Sequence, residues 1–383
     1  METPIYLDYA AATPLDDEVF AAMQPYFATQ FYNPSSSYLA ARKVHDDLEK
    51  ARATVAQQLG AKPAEIVFTA GATEANNLAV HGVMQRYPGA NLLVASTEHE
   101  ATLAPARQYV HELIPVTPKG VVDMVLLENL IDERTVLVSV GYANNEIGTI
   151  QPLRHIADLL ARVRETRRQA GNDLPLFLHS DAAQAAPYLD MHASRLGVDL
   201  MTINGGKMYG PKQVGALFIS AKVVLQPQIS GGQQERGLRS GTENVAGVIG
   251  LATAFAKVQK SRKDTVHREQ QLRDLLLAEL TKVFPDLIVN GDRKRRLPNN
   301  LNVSFPGLDG ERILMAADER GLQIATGAAC SANHQTGSHV LSAIGCQPHV
   351  ANGSIRITLG AQTTEEEIRQ AATILTEVVR SMR

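Results

Sequence analysis

Short apolar segments alternate along the chain with longer segments in which apolar residues recur at helical spacing. This alternation predicts an α/β fold built around a largely parallel sheet. Two segments have the periodicity of helices, namely Ser37–Leu59, for which Gly60 is the expected C-terminal cap, and Leu153–Gln169. The predicted strands are Glu65–Thr69, Asn91–Ser96, Thr135–Val140, Leu176–His179, Asp199–Ile203 and Gly215–Ile219.

The pattern changes near residue 260, where the polar segment Lys260–Arg273 predicts the start of a long charged helix. We interpret this change as the entry into a second, smaller α+β domain, with which Met1–Pro14 would pack. The predicted domains are a large one, residues 15–260, and a small one formed by residues 1–14 and 261–383. The elements expected in the small domain are Ile288–Asn290, Leu301–Phe305, Gly310–Arg320, Ile355–Leu359 and a last helix from Thr364.

Composition and charge narrow the class of protein. The chain has 383 residues, of which 44% are hydrophobic and 20% charged, as is ordinary for a globular protein. Its formal net charge of −3 gives no overall basic field that would attract nucleic acid or anionic lipid. No stretch is apolar enough to span a membrane, and no basic segment followed by an apolar run opens the chain. We therefore expect a soluble, cytoplasmic protein that binds neither membranes nor nucleic acid directly.

Five chemically suggestive clusters each follow directly after a predicted strand. Because the carboxyl ends of parallel strands line a single crevice, we expect all five clusters to meet at one pocket. The clusters are Thr69-Ala-Gly-Ala-Thr-Glu74, Thr97-Glu-His99, Asn144-Asn-Glu146, Ser180-Asp181 and Asn204-Gly-Gly-Lys207.

Three of these clusters carry a specific chemical hypothesis and a plainer alternative. Lys207, in a glycine-rich bend, is suited to forming a Schiff base if the crevice desolvates it, or it is a solvated surface lysine. Asp181 is suited to holding a heterocyclic nitrogen protonated, or it caps a helix. Thr73 follows small residues at a predicted strand-to-helix turn, which suits a phosphate, or it is a simple N-cap.

Two further residues are candidates outside those clusters. Cys330 is surrounded by small residues with no apolar packing, which indicates an accessible, loop-borne thiol, although an inert small residue is the alternative. Cys346 beside Ile344 is interpreted as structural. Two cysteines are too few for a disulfide framework and fit a reducing compartment. Arg356, in a strand pattern, could clamp a substrate carboxylate or face solvent. We predict no metal site.

Taken together, these residues resemble the cysteine desulfurases of the NifS/IscS group, within the class V aminotransferase-like enzymes of the pyridoxal-phosphate-dependent transferase fold type I. The resemblance implies a large domain with a mainly parallel sheet covered by helices, plus a smaller α+β C-terminal domain. The motifs that carry it extend over nearly the whole chain, and their order makes the signal specific. They are Tyr6-Leu-Asp-Tyr-Ala-Ala11, Asn33-Pro-Ser-Ser36, Phe68-Thr-Ala-Gly-Ala-Thr-Glu74, Thr97-Glu-His99, Asn144-Asn-Glu-Ile-Gly148, Asp181-Ala-Ala-Gln184, Lys207-Met-Tyr-Gly-Pro-Lys212, Arg236-Gly-Leu-Arg-Ser-Gly-Thr-Glu-Asn244, Gly327-Ala-Ala-Cys330-Ser331 and Ile355-Arg356.

The resemblance also implies roles for individual residues. Lys207, Cys330 and His99 are the implied catalytic residues, and Lys207 holds pyridoxal 5'-phosphate. Thr242 would reach the cofactor of a partner subunit, which implies a homodimer. The implied substrate-binding residues are Asn33, Asn145 and Arg356. The implied cofactor-binding residues are Ala72, Thr73, His99, Asn145, Asp181, Gln184, Asn204, Gly206, Lys207 and Thr242.

The implied activity is the removal of sulfur from L-cysteine, which leaves L-alanine and a persulfide on Cys330. An acceptor protein would then take the sulfur for iron–sulfur cluster, thiolated-tRNA or cofactor synthesis. A selenocysteine lyase or another class V enzyme is the nearest alternative. A degenerate, non-catalytic partner is a more distant one.

The chain departs from the family pattern at two places. It has Asn204-Gly205-Gly206 where the family usually has Ser-Gly-His before the lysine, so a hydroxyl and an imidazole donor are replaced. It also has Tyr38 where many relatives have histidine. The first departure predicts looser retention of pyridoxal phosphate than in a typical member.

Overall fold

The computed structural model describes residues 4–326 and 337–383. Its central feature is a seven-stranded sheet with the strand order β2-β8-β7-β6-β5-β3-β4. Strands β4, β3, β5, β6 and β7 run parallel to one another, whereas β8 pairs antiparallel with β7 and β2. The strands are β2 (Ile66–Thr69), β3 (Asn91–Ala95), β4 (His111–Ile114), β5 (Thr135–Ser139), β6 (Phe177–Asp181), β7 (Leu200–Asn204) and β8 (Gly215–Ile219).

Alternate side chains of this sheet enter two different hydrophobic clusters. On β2, Ile66 and Phe68 belong to one cluster and Val67 to the other. On β3, Leu93 and Leu92 divide in the same way. Since neighbouring side chains of a strand point to opposite faces, the sheet is covered on both faces. This arrangement explains the continuous apolar runs from which the strands are predicted.

Helices pack around this sheet and continue beyond it. The α3 helix ends where predicted, because Gly60 adopts the left-handed conformation (φ 59°) and donates its backbone N–H to Ala56 and Gln57. The helices are α1 (Asp17–Met23), α2 (Pro25–Ala28), α3 (Leu39–Leu59), α4 (Ala72–Met84), α5 (Glu100–Ala106), α6 (Met124–Leu130), α7 (Leu153–Gln169), α8 (Ala193–Leu196), α9 (Val245–Val283), α10 (Gly310–Asp318), α11 (His339–Ala343), α12 (Pro348–Ala351) and α13 (Glu365–Ser381), with short 3₁₀ helices at Pro63–Glu65, Gly205–Lys207 and Glu235–Gly237.

The prediction that a charged helix begins near Lys260 is wrong, because that residue lies in the middle of α9. The helix begins at Val245, where the Asn244 side chain accepts a hydrogen bond from the backbone of Gly247. Its first half packs into the sheet's core and its second half into another core. The change from apolar to polar residues therefore marks the passage of one helix between two cores, and not a helix start.

The second core is formed by the end of α9, by α10 and α13, by strands of two small sheets, and by Ile5 and Leu7 of the N-terminal segment. One small sheet has the order β12-β10-β9 and the other pairs β1 with β11. Their strands are β1 (Ile5–Tyr6), β9 (Ile288–Val289), β10 (Asn300–Ser304), β11 (Leu322–Gln323) and β12 (Ser354–Thr358). The predicted boundary between residues 260 and 261 falls inside α9, and the division into two domains stays a prediction.

Among residues 4–326 and 337–383, every helix is too short or too polar to cross a lipid bilayer. Within the same residues, no group of three or more histidine, cysteine, aspartate or glutamate side chains is arranged to hold a metal ion.

Candidate active site

A cavity of about 300 Å³ opens at the carboxyl ends of the parallel strands. Residues from all five predicted clusters line it, together with the N-terminal segment and Arg356 of β12. Its size lies at the lower end of the range for small-molecule sites. The lining residues are Ala10, Ala11, Ala72, Thr73, Thr97, Glu98, His99, Ala101, Gly141, Ala143, Asn144, Asn145, Gln151, Asp181, Ala183, Gln184, Asn204, Lys207 and Arg356.

Lys207 ends the short 3₁₀ helix that follows β7, and its side chain points into the cavity wall. The Nζ atom donates hydrogen bonds to the carbonyl oxygens of Ala10, at 2.9 Å, and Ala11, at 2.5 Å. Lys207 is half-buried, so the interpretation as a solvated surface lysine is wrong. The N-terminal segment thus fixes a primary amine beside the empty volume of the crevice.

Asp181 is the last residue of β6, and both of its carboxylate oxygens accept hydrogen bonds. Asn76 donates its side-chain amide to Oδ2 at 2.7 Å, and the backbone N–H of Ala183 donates to Oδ1 at 2.9 Å. These two hydrogen bonds fix the orientation of the carboxylate at the end of β6. No helix begins at this point of the described chain, so the alternative interpretation as a helix cap is wrong.

The first turn of α4 faces the cavity through Ala72 and Thr73. The N-cap of α4 is Gly71, with φ 127°, and not Thr73 as the plainer interpretation expected. A glycine cap has no side chain to occupy the N–H groups of the first turn, which leaves them available for an anion. The local geometry therefore suits a phosphate group.

Three polar side chains complete the part of the wall around Lys207. His99 caps α5, and its Nδ1 accepts a hydrogen bond from the backbone N–H of Ala101 at 3.0 Å. Gln184 donates to the carbonyl of Ala10 at 2.9 Å, and Asn204 lies at the end of β7. Since Nδ1 of His99 acts as an acceptor, the proton of the neutral ring belongs to Nε2.

Arg356 is only 4% exposed although it lies on a strand. Its Nη2 donates to Asp8 Oδ1 at 2.7 Å and its Nη1 to the carbonyl of Asn145 at 3.2 Å. Its Nε is buried and has no hydrogen-bond partner among the described residues. The interpretation as a solvent-facing arginine is wrong, because the side chain is buried and lines the cavity.

The structure does not bring every predicted site residue to this cavity. Asn33 is exposed, and its side chain accepts a hydrogen bond from the backbone of Ser35. Thr242 is also exposed. Gly206 is buried beside Lys207 but is not among the lining residues. Cys330 lies outside the described residues.

Two buried glutamates were not singled out from the sequence. Glu98 lines the cavity and is 4% exposed. Burial raises the pKa of Glu98 to about 8. The backbone N–H of Gly141 donates to the carboxyl and opposes this rise, whereas the negative charge of Asp181 adds to it. The backbone carbonyl of Glu98 accepts a hydrogen bond from Nε2 of the His339 ring at 2.9 Å. The signal was present in the Thr97-Glu-His99 cluster, but only burial distinguishes this carboxyl from a solvated one.

The second glutamate, Glu146, lies behind Asn145 and accepts a hydrogen bond from the hydroxyl of Ser338 at 2.5 Å. Burial raises its pKa above the ordinary range, although the Ser338 hydroxyl opposes that rise. Ser338 is the second described residue after the interval that contains Cys330. Glu98 and Glu146 therefore both anchor the start of α11 to the edge of the cavity.

Comparisons with known proteins agree with this geometry. The aminotransferase class-V family matches residues 5–370. "Cysteine desulfurase IscS" of Dictyoglomus turgidum is 39% identical, over 100% of this chain and 96% of the relative. "Cysteine desulfurase IscS 1" of Archaeoglobus fulgidus is 38% identical, over 99% and 97%.

Solved structures give the same result. A "NifS-like protein" superposes with a TM-score of 0.90 at 32% identity and covers 99% of this chain and 100% of its own. A structure described as "SspA in complex with cysteine" superposes with a TM-score of 0.80 at 31% identity, over 92% of this chain and 98% of its own. Both the fold class and the resemblance predicted from the sequence are confirmed. The chain belongs to the aminotransferase class-V family, among the cysteine desulfurases.

Proposed function

We propose that the chain is a pyridoxal-phosphate-dependent cysteine desulfurase, which converts L-cysteine into L-alanine and transfers the sulfur to Cys330. The observation that carries the proposal is the meeting of three groups at one cavity, namely the Lys207 amine, the Asp181 carboxylate and the Arg356 guanidinium. The amine suits an aldehyde, the carboxylate a cationic ring nitrogen, and the guanidinium a substrate carboxylate. The names of the relatives support the same choice of reaction.

The cavity fits the cofactor by the chemistry of its donors. Asp181, oriented by the hydrogen bond from Asn76, would pair with the ring nitrogen, and the first turn of α4 at Thr73 would take the phosphate. The other residues that we propose to contact the cofactor are Ala72, His99, Asn145, Gln184, Asn204, Gly206 and Lys207, with Thr242 contributed by the partner subunit of a homodimer. Bound pyridoxal phosphate would supply an electron sink for the charge that develops when the substrate loses its Cα proton.

Arg356 would bind the substrate carboxylate with the donors that the protein leaves to it. Asp8 and the Asn145 carbonyl already occupy Nη2 and Nη1, so the guanidinium plane is fixed before substrate arrives. Each of these two nitrogens carries two N–H groups, so one on each remains for a carboxylate oxygen that enters the cavity. We retain Asn33 and Asn145 as further substrate contacts.

Lys207 and His99 would handle the protons. The Nζ atom of Lys207 is held beside two backbone carbonyls at the cavity wall, and in this position it can take up the Cα proton and later return a proton to Cα. His99 Nε2 carries the proton of the neutral imidazole because Nδ1 accepts from Ala101. His99 is thus oriented to donate through Nε2 rather than through Nδ1.

The sulfur step balances with a thiol on the enzyme as the acceptor. The substrate Cβ–S bond breaks with its electron pair left on the carbon skeleton, and an S–S bond forms between the substrate sulfur and Cys330 Sγ. The proton released by the Cys330 thiol balances the one that Cβ gains to become the methyl group of alanine, and the substrate sulfur keeps its own hydrogen in the persulfide. The described chain before Cys330 runs beside the cavity, since Ala325 and Arg356 exchange backbone hydrogen bonds at 3.1 and 2.6 Å. After Cys330 the chain is anchored at Ser338 by Glu146.

The acceptor of the persulfide sulfur is proposed to be a protein, either an iron–sulfur scaffold or a tRNA-thiolation or carrier protein. The cytoplasmic location and the absence of direct nucleic-acid binding stay predictions.

The proposal is tested by supplying L-cysteine and a reductant to the purified, cofactor-loaded protein and measuring alanine and sulfide. We expect equal amounts of both from the wild type, and a mass increase of one sulfur on the peptide that contains Cys330 when the reductant is omitted. Lys207→Ala and Cys330→Ser should each abolish sulfide formation. Sulfide formation that survives Cys330→Ser would refute the persulfide step.

A further inference from the structure

A cluster of exposed basic residues contacts the loop between the cavity-lining residues Asn145 and Gln151 and has no role in the proposed reaction. It consists of Lys119, Arg293, Lys294 and Arg295, which we call the basic strip. Across the described residues, none of the four makes an ion pair. The chain as a whole has a net charge of −3, so the strip opposes the overall sign of the protein.

A buried carboxylate fixes the backbone of the strip. Asp292 is 8% exposed, and its Oδ1 accepts the backbone N–H groups of Lys294, at 2.7 Å, and Arg295, at 2.9 Å. Because these bonds use the backbone, the side chains that follow Asp292 remain directed to solvent. The arrangement leaves three consecutive cationic side chains exposed, with the single Asp292 carboxylate as the negative charge beside them.

Thr149 joins the two parts of the strip. Its hydroxyl donates to the carbonyl of Lys119 at 2.8 Å and accepts the backbone N–H of Asp292 at 3.1 Å. The backbone of Ile150 donates to the carbonyl of Arg295 at 2.9 Å. The backbone carbonyls of Lys119 and Arg295 therefore both accept hydrogen bonds from one short loop, residues 146–150.

The same loop anchors the chain that follows Cys330. Glu146 binds Ser338, and Ile147 packs against Val340, Leu341 and Ile344 in a small hydrophobic cluster. The basic strip is thus connected through five consecutive residues to the place where the described chain resumes after Cys330. Cys330 precedes Ser338 by eight positions, so a protein that receives its sulfur would bind within the reach of that short segment from this anchor.

We propose that the basic strip is the docking surface for an acidic face of the protein that receives sulfur from Cys330. The inference rests on the proposed function, because without a persulfide there is no sulfur to receive. A protein partner fits better than a nucleic acid, since a long polyanion would also meet the net negative charge of the remaining surface, whereas a compact acidic patch covers the strip only.

The test uses two peptides as sulfur acceptors, a short oligoglutamate ending in Gly-Cys and the oligoglutamine with the same ending. The cofactor-loaded full chain receives L-cysteine, and transfer is followed as the mass increase of the peptide. At low salt we expect the oligoglutamate to accept sulfur about tenfold faster than the oligoglutamine, and high salt should remove the difference.

The variant Arg293→Ala/Lys294→Ala/Arg295→Ala should reduce the oligoglutamate rate to that of the oligoglutamine. The control Arg162→Ala/Lys260→Ala/Lys263→Ala removes three exposed charges elsewhere and should keep the advantage. Alanine formation with a small-molecule reductant should be unchanged in both variants. Equal rates for the two peptides, or an advantage that survives in the strip variant, would overturn the proposal.

Binding of dye-labelled peptides, measured without cysteine, separates this proposal from the proposed function. A wild type that forms no alanine refutes the desulfurase reaction, and with it the sulfur acceptor as the partner, even if the oligoglutamate binds through the strip. A wild type that forms alanine but does not bind the oligoglutamate through the strip overturns the docking surface alone. An oligouridine that binds through the strip while the oligoglutamate does not would overturn the protein partner in favour of a nucleic acid.

Discussion

Replacing Glu98 by glutamine should make the protein less sensitive to alkaline pH. Burial raises the pKa of Glu98 from 4.5 to about 8, with the charge of Asp181 contributing. Between these pH values the folded state keeps the Glu98 proton while the unfolded state releases it. The free energy of unfolding therefore falls as the pH rises from about 4.5 to 8, and it is constant with respect to this group above pH 8.

The magnitude follows from the linkage between proton binding and folding. One pKa unit corresponds to about 1.4 kcal/mol, so the complete effect for Glu98 is about 5 kcal/mol at most. Between pH 6 and pH 8 it amounts to about 2 kcal/mol. Glutamine preserves the acceptor for the Gly141 N–H but carries no titratable proton. The difference between variant and wild type should therefore grow by about 2 kcal/mol over that interval.

Urea denaturation at pH 6 and pH 8, followed by circular dichroism, measures this difference. Glu269→Gln is a matched comparison, because burial also raises the pKa of Glu269 to about 8 and its side chain is fully buried away from the cavity. It should show a similar gain. A stability difference between Glu98→Gln and wild type that stays constant from pH 6 to pH 8 would refute the reasoning.

Two other substitutions test the cofactor and substrate contacts. A Cβ atom at Gly206 would lie 3.5 Å from Lys212 Cγ, an ordinary contact, so the Gly206→His variant should fold. The added imidazole donor should lower the dissociation constant of pyridoxal phosphate about tenfold. A fluorescence titration that finds an unchanged affinity would show that Gly206 does not weaken cofactor binding. Arg356→Lys removes the planar fork and should raise the KM for cysteine by about 10- to 100-fold with a smaller change in kcat, whereas an unchanged KM would exclude a carboxylate contact.

The sequence predicts the elements whose signals are local. Helix α3 ends at Gly60 as expected, since a left-handed cap is a property of one residue, and β8 was predicted with the bounds it has. Strand β4 was missed because it lies at the edge of the sheet and includes exposed Glu112, so its composition lacks the apolar run of a central strand. The start of α9 was missed because the first half of this helix is apolar and buried, so its sequence lacks the alternation of apolar and polar residues that marks a surface helix.

Much of the candidate site follows from the position of residues at strand ends, which is why Lys207 and Asp181 were found. Contacts between distant segments were not predictable. The pairing of Asp8 with Arg356 joins residues from opposite ends of the chain, and the bond between Glu146 and Ser338 spans 192 positions. The raised pKa of Glu98 depends on complete burial, which a polar motif in the sequence does not reveal.

The most direct measurement of the central claim is the site at which the protein holds pyridoxal phosphate. The cofactor-loaded protein is reduced with borohydride, digested, and its peptides are mapped by mass spectrometry. We predict pyridoxyl phosphate on Lys207, whose amine lies at the cavity wall beside Ala10 and Ala11. Label on Lys212 instead, or a protein that retains no label, would contradict the account.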